Sequence, residues 1–405
     1  MDGKGVQTSS VFGNFIPMKS FGFYEFFAGG GMARLGLGER WNALFANDVD
    51  AHKALAYAEN FRPSGELVVG DVNNVSAFDL PHGGIMAWAS FPCQDLSLAG
   101  RGGGIDASRS GCYWPFWNIL RDLATHHRML PIVALENVVG LLHANGGLDF
   151  QRLLGSLRDL GYCYGAMVVD AIHFLPQSRP RLFIVAAAPE LLVGRPVATS
   201  GPVEPWHPDG LTNAVVRLPS ELAENWVWWK MPQPARRHVQ LENLVMDVPS
   251  STAWHEPSET KRLLGMMTPL NRRKVEAASK LNRRVVGTIY KRTRVDSSGV
   301  KRQRAEVRFD GVAGCLRTPA GGSSRQIIIV VEGRNVRTRL LDTREAARLM
   351  GVPDSYKLPE NYNDAYHLMG DGLAVPAVAW VEKHVLRPLA IAACSVREAP
   401  AEAVA

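Results

Sequence analysis

The sequence is poor in the residues that would staple or anchor it. Only five cysteines occur in 405 residues, Cys93, Cys112, Cys163, Cys315 and Cys394, and no two form a Cys-x-x-Cys pair. So scattered and odd a set argues against a disulfide framework and a structural zinc site; no metal is expected, and a reducing cytoplasmic setting is the natural reading. No apolar run reaches the roughly 18–20 residues a bilayer span needs, which removes a membrane partner. The opening MDGKGVQTSS has no apolar core of a secretion signal. Residues 1–19 and 391–405 are expected to be tails. The Gly-Lys-Ser/Thr of a phosphate loop and the full dinucleotide fingerprint are both missing, and no internal repeat is evident.

What is present is an ordinary globular composition, 46% hydrophobic and 21% charged. The length suggests two or three domains. The net charge is +6, but it is unevenly spread. Between Lys261 and Arg308 there are fifteen Lys or Arg against three acids, so that block carries +12 and the remainder −6. Such a block is either a phosphate-binding footprint or a solvated charged face.

Residues 20–190 alternate strand-like and helix-like pieces. Strands are expected at 22–28, 41–47, 67–69, 85–90, 131–135 and 181–187, with helices near 32–38 and 51–60. That alternation predicts an α/β fold, a Rossmann-like, mostly parallel sheet with flanking helices. Residues 191–335 are irregular and basic and predict a smaller second domain. Within them Arg317 to Gln326 is glycine-rich and polar, and is either a groove-entering loop or a simple hairpin turn. Residues 336–390 return to order. "LLDTREAARLMGVP" has Asp342 or Thr343 as an N-cap, Glu345 in the first turn, and Gly351 with Pro353 as stops. A second apolar helix is expected over 372–386.

Ligands of such sheets bind beyond the carboxyl ends of the strands. Gly29–Gly31, Asp48, Asp71, Cys93 and Glu136 all fall there. Strand-end glycines let backbone approach a ligand closely, and two strand-end acids suit a ribose and an adenine better than a pyrophosphate. Cys93, in "SFPCQDLS", follows an apolar strand and sits in a polar turn; it is a buried filler, a metal ligand or a nucleophile. Glu136 in "ALENV" is a buried orphan or a proton-handling group. Arg179 and Arg181 in "QSRPR" suit a carbonyl oxygen, a phosphate or a surface ion pair. A thiol, an acid and two arginines beside a ribose-binding cleft suggest nucleophilic attack on a polarised ring.

The ordered series "EFFAGGGM", "NDVD", "GDV", "FPCQDLS", "SRSG", "ENV", "QSRPR", "DTREAARLMGVP" and "GDGLAVPAV" resembles the cytosine-5 DNA methyltransferases of bacteria over about residues 20–385. The resemblance implies a class I methyltransferase fold. It further implies S-adenosylmethionine as cofactor and methylation of carbon 5 of a flipped-out cytosine in a specific duplex DNA sequence. In this reading Cys93 is the nucleophile that adds to carbon 6, Glu136 contacts the ring nitrogen and amine, and Arg181 with Arg179 holds the base oxygen and the site's geometry. Phe27, Ala28, Gly29, Gly31, Asp48, Asp71 and Pro92 would bind the cofactor. Gln94, Ser97, Arg109, Arg317, Thr318, Ser323, Ser324 and Arg325 would contact DNA. The segment 95–111 would close over it as a mobile loop.

The segment 191–335 would be the target-recognition domain. The chain would act as a monomer, either as an orphan methylase or beside a restriction endonuclease of the same site. Three positions depart from the family pattern: Glu25 stands for a usual Asp, Met32 for a glycine, and Asp371 for an Asn. Two other readings remain: a tRNA cytosine-5 methyltransferase of the same fold, and a non-catalytic DNA-binding relative, which would be expected to lose Cys93, Glu136 or the arginines.

Overall fold

A computed structural model of the chain describes residues 20–63, 65–92, 112–295, 299–318 and 325–398. A seven-stranded sheet lies at its centre. Its strands are β1 (Phe21–Phe26), β2 (Trp41–Asp48), β3 (Leu67–Val69), β4 (Gly84–Ala89), β5 (Ile132–Asn137), β6 (Cys163–Asp170) and β7 (Pro180–Ala187), in the order β3-β2-β1-β4-β5-β7-β6. All neighbours pair parallel except β7, which runs against both β5 and β6. The sheet is therefore mostly parallel, as expected, with one reversed strand. β6 was not foreseen from the sequence; it is the outer partner that the reversed β7 requires.

Strands β4 (GIMAWA) and β5 (IVALEN) are buried at every position. Both faces of the sheet are covered, so the central strands are near-continuous apolar runs. Side chains alternate between two cores. Phe26, Ala87, Ala89, Val133 and Leu135 face α3 (Tyr113–Thr125) and α4 (Leu148–Asp159). Phe23, Met86, Trp88 and Ile132 face the other way. They meet α1 (Met32–Leu37) and the C-terminal helices α10 (Thr343–Leu349), α11 (Tyr362–Asp371), α12 (Val375–Val381) and α13 (Arg387–Glu398). The helix α2 (Ala51–Asn60) starts at Asp50, whose carboxylate accepts the amides of His52 and Lys53.

The chain after β7 carries β8 (Ala198–Thr199), α5 (Asp209–Val216), α6 (Ser220–Ala223), β9 (Trp228–Trp229) and α7 (Leu241–Leu244). Next come α8 (Pro257–Gly265), α9 (Pro269–Ser279) and an antiparallel sheet of β10 (Arg284–Val295), β11 (Lys301–Arg308), β12 (Ile327–Glu332) and β13 (Asn335–Leu340), ordered β11-β10-β12-β13. One face of this small sheet packs on α8 and α9 through Ile289, Ala305, Val307, Leu263 and Val275. The other face joins the core of the large sheet through Val286, Ile328 and Val330.

Helix α10 begins as its sequence indicates, with Asp342 and Glu345 forming a capping box. Glu345 also takes Arg339 in a fully buried bidentate pair, at 2.7 Å from Nη1 to Oε2 and 2.5 Å from Nη2 to Oε1. The expected helix over 372–386 is α12 followed by one π-turn at Glu382–Leu386. The tail expected from residue 391 is a correction: α13 stays helical to Glu398, because Leu389, Ala390, Ala392 and Ala393 give it an apolar stripe to bury.

Candidate active site

The carboxyl ends of β1, β2, β4 and β5 open on one cleft of about 380 Å³. At the end of β1 the backbone turns left-handed at Phe27 (φ 58°), Gly29 (φ 56°) and Gly31 (φ 75°). Phe27, Ala28 and Gly29 line the cleft. Gly31 does not: a Cβ there would stand 2.2 Å from the Phe61 ring, so its bareness lets α1 pack against α2.

Asp48, at the end of β2, is buried, and burial raises its pKa despite two backbone amides that favour the charge. The Gly29 N–H donates to Oδ2 at 2.7 Å and the Asp50 N–H to Oδ1 at 2.8 Å. Its carboxylate is thus aimed and held at the mouth of the glycine turn. Asp71 accepts from the backbone and side-chain amides of Asn73, which hold its pKa below the usual range, and it stands exposed at the rim. Pro92 lines the same wall.

On the β5 side, Glu136 is buried and Arg181 Nε lies 3.2 Å from its Oε1. Burial raises the pKa of Glu136, against the pull of Arg181, Arg179 and the Ser90 hydroxyl. Both Glu136 and Arg181 face the cleft. Asn137 donates to the Phe91 carbonyl at 3.1 Å and so ties the end of β5 to the segment that leads into Cys93.

Arg179 was expected to hold the base oxygen and the site's geometry, and its guanidinium bonds the chain around the site. Nη1 donates to the Leu316 carbonyl at 2.9 Å and Nη2 to the carbonyls of Gly370 and Gly372 at 2.8 and 2.6 Å. It clasps the returning C-terminal segment to the sheet and acts through position. Gln177 joins in, donating to Leu349 O and accepting from the Leu316 amide.

Three residues at the site were not singled out as functional by the sequence reading. Burial alone would raise the thiol of Cys315, but Arg179, Arg181 and Arg317 together pull its pKa below the usual value. Arg179 Nη1 lies 3.3 Å from that sulfur. Glu25, 1% exposed, lines the cleft with neither carboxyl oxygen hydrogen-bonded among the described residues, and burial pushes its pKa up to about 8. Lys53 reaches across the mouth to Asp371, with Nζ 2.8 Å from Oδ2. Met32 packs on Gly372, where a Cβ would stand 2.2 Å from its sulfur.

The expected DNA-contacting residues divide. Arg317 is exposed. Thr318 donates its hydroxyl to Asp371, and Arg325 is docked on Asn363 with its guanidinium 5.4 Å above the Tyr362 ring. Those contacts join Thr318 and Arg325 to α11. Cys93, Gln94, Ser97, Arg109, Ser323 and Ser324, with the 95–111 loop, lie outside the described residues. Among the described residues no cluster of His, Cys, Asp or Glu could hold a metal, and no helix is long and apolar enough to cross a membrane.

The family described as C-5 cytosine-specific DNA methylase matches residues 21–387. The chain is 24% identical to the type II methyltransferase M.HhaI of Haemophilus parahaemolyticus, covering 90% of this chain and 93% of that protein. It is 25% identical to M.HpaII of Haemophilus parainfluenzae, over 92% and 90%. Its fold is similar to that of the Dnmt2 methyltransferase of S. pombe, with a TM-score of 0.57 at 15% identity over 92% of this chain and 99% of that one. The chain belongs to the C-5 cytosine-specific DNA methylases and is an enzyme of that kind.

Proposed function

We propose that this methylase transfers a methyl group from S-adenosylmethionine to carbon 5 of a cytosine turned out of duplex DNA, through a transient bond to Cys93. The observation that carries the reading is the Glu136–Arg181 pair, buried at the ends of β5 and β7 and open to the same cleft as the β1 glycine turn and Asp48.

The cleft's residues fit the cofactor. Glu25 offers a buried carboxyl facing the cleft, an acceptor suited to an ammonium group. Phe27, Ala28, Gly29 and Pro92 offer ring, backbone and apolar contact, and Asp48 and Asp71 offer carboxylates to hydroxyl and amino groups. When bound, S-adenosylmethionine supplies an electrophilic methyl group.

Carbons 5 and 6 of a stacked cytosine are out of reach, so the base must leave the helix, at a cost of about a few kcal/mol. Arg181 holds the base oxygen and Glu136. The raised pKa of Glu136 favours the protonated acid, which donates to the ring nitrogen as Cys93 adds to carbon 6. Electron density then reaches carbon 5, which takes the methyl group as the donor sulfonium departs as a neutral thioether. A solvent base removes the carbon-5 proton, the ring nitrogen returns its proton to Glu136, and the Cys93 thiolate leaves, restoring the ring. Arg179 keeps Leu316 and the Gly370–Gly372 turn in place around the cleft. Residues 191–335 supply target recognition, and the chain works as a monomer in the cytoplasm, as an orphan methylase or beside an endonuclease of the same site.

The test is transfer of labelled methyl from S-adenosylmethionine to genomic DNA and to tRNA, with the native chain and Cys93→Ser, followed by base-resolution mapping. Label in DNA that vanishes in the variant is expected. Label confined to tRNA would overturn the DNA assignment.

A further inference from the structure

The basic block seen in the sequence is split by the fold into two layers. Arg272 and Arg273 lie on α9, on the outer side of the small sheet. Lys291, Arg292, Arg294, Lys301, Arg302 and Arg304 lie on the β10–β11 hairpin. Pairing of β10 with β12 stops at Ile289–Ile327, whereas pairing with β11 continues to Val295–Lys301. A two-stranded ribbon thus runs beyond the sheet from Tyr290 to Val295, about 20 Å at roughly 3.3 Å per residue.

The two faces of the ribbon differ. Arg292 stands opposite Arg304, and Arg294 opposite Arg302. With Tyr290 and Glu306 these four arginines share one face. Glu306 lies 3.4 Å from Arg292 and 2.8 Å from Arg294, and among the described residues it is the sole acid on that face of the ribbon. Like charges directly opposite each other on a ladder repel, so an anion set between the opposed arginines is favoured.

This face continues the one bearing Val286 and Thr288, the side of the small sheet that packs toward the large one. Helices α8 and α9 cover the opposite side. The arginines therefore lie on the side of the small sheet that faces the large one, opposite α8 and α9. The ribbon is also rooted at the site. The Tyr290 hydroxyl donates to Gln326, and the Gly314 backbone lies against the Tyr290 ring, where a Cβ would stand 2.3 Å from its oxygen. Cys315 and Leu316, the next two residues, hold Arg179.

We propose that the β10–β11 ribbon is a phosphate-gripping arm, its arginine face lying along the sugar-phosphate backbone of the duplex beside the extruded cytosine. The proposal rests on the reading of duplex DNA as substrate. Guanidinium forks match phosphate oxygens in pairs. Phosphates set between the opposed arginines convert their mutual repulsion into shared attraction. A two-stranded arm also holds its charges in fixed register, so they reach successive phosphates without first being ordered.

The experiment measures binding of the full-length chain to a fluorescein-labelled duplex of random sequence across a salt series. For Arg302→Gln/Arg304→Gln the slope of log affinity against log salt becomes shallower by about 1.8, from roughly 0.9 per phosphate contact. Glu306→Gln, which releases Arg292 and Arg294, binds more tightly at every salt concentration. Arg272→Gln/Arg273→Gln, on the outer helix, keeps the native slope. An unchanged slope in the ribbon variant, with thermal melting showing it folded, overturns the arm, and so does an equal loss in the outer-helix variant. A slope change seen on duplex RNA but not on DNA also overturns the assignment. Failure of the native chain to methylate DNA would instead remove the function proposed above, because the binding series does not depend on transfer.

Discussion

Lys53 Nζ stands 2.8 Å from Asp371 Oδ2, joining the first turn of α2 to the end of α11 across the mouth of the cleft. Where the family pattern has an uncharged Asn, this chain has an ion pair, and Thr318 donates to the same carboxylate. The acid is therefore not an isolated charge in the cleft. Asp371→Asn keeps an acceptor for Thr318 and loses the charge pairing. Both partners are partly exposed, so the effect on cofactor dissociation is within about fivefold, consistent with less than about 1 kcal/mol for such a pair. Calorimetric titration at low and high salt checks this: the difference between native and variant shrinks as salt rises.

Glu25 gives stability a definite pH dependence. Its folded pKa of about 8 lies far above that of an unfolded carboxyl. Below about pH 4 both states are protonated and the group contributes nothing. As pH rises, the unfolded chain releases the proton first, so stability falls by about 1.4 kcal/mol per pH unit until the folded group also ionises near pH 8. Glu25→Gln removes this loss. Melting temperatures of native and variant proteins are expected to diverge between pH 5 and 8, with the variant higher and the gap widening. Parallel curves would show that Glu25 is not buried uncompensated.

Glu136→Gln keeps the size of the side chain and removes the transferable proton. Transfer is expected to slow by roughly 10²–10⁴-fold, the usual share of a positioned acid, with cofactor binding little changed. Because burial raises the pKa of Glu136, the neutral form survives above the usual carboxylate range, and the native rate declines as pH rises through that raised value. Single-turnover transfer across pH tests both points.

Arg179→Met is expected to act on stability before chemistry. It leaves the carbonyls of Leu316, Gly370 and Gly372 without their donors in a buried setting. The cost is on the order of 3 kcal/mol or more, read as a lowered midpoint in urea. Arg179→Lys recovers only part, since one ammonium cannot span three acceptors on two chain segments.

Much of the sheet could be read from local pattern. Helix α2 was placed at its observed bounds, and most strands fell within one or two residues, because buried parallel strands are apolar runs with polar stops. The convergence of Gly29, Asp48, Asp71 and Glu136 on one cleft followed from strand ends alone. What escaped depends on distant partners. The carbonyls that hold Arg179 come from residues 316, 370 and 372, and no local signal near "QSRPR" announces them. The burial of Glu25 and the arginines around Cys315 are likewise facts of packing. Helix α11 did carry a signal, Asn361 capping with Asp364 in the first turn, which the sequence reading passed over.

The large sheet is covered on one side by helices that lie far downstream in the chain. Phe23, Trp41 and Trp88 are complete in sequence well before residue 190, yet they share a core with Leu349, Val378 and Leu389. At roughly 5–20 residues per second of synthesis, a nascent sheet keeps that apolar face bare for roughly 10–40 s while the intervening segment is made. The gene order of this enzyme thus builds in a waiting period, during which folding helpers and sticky neighbours compete for the same exposed surface.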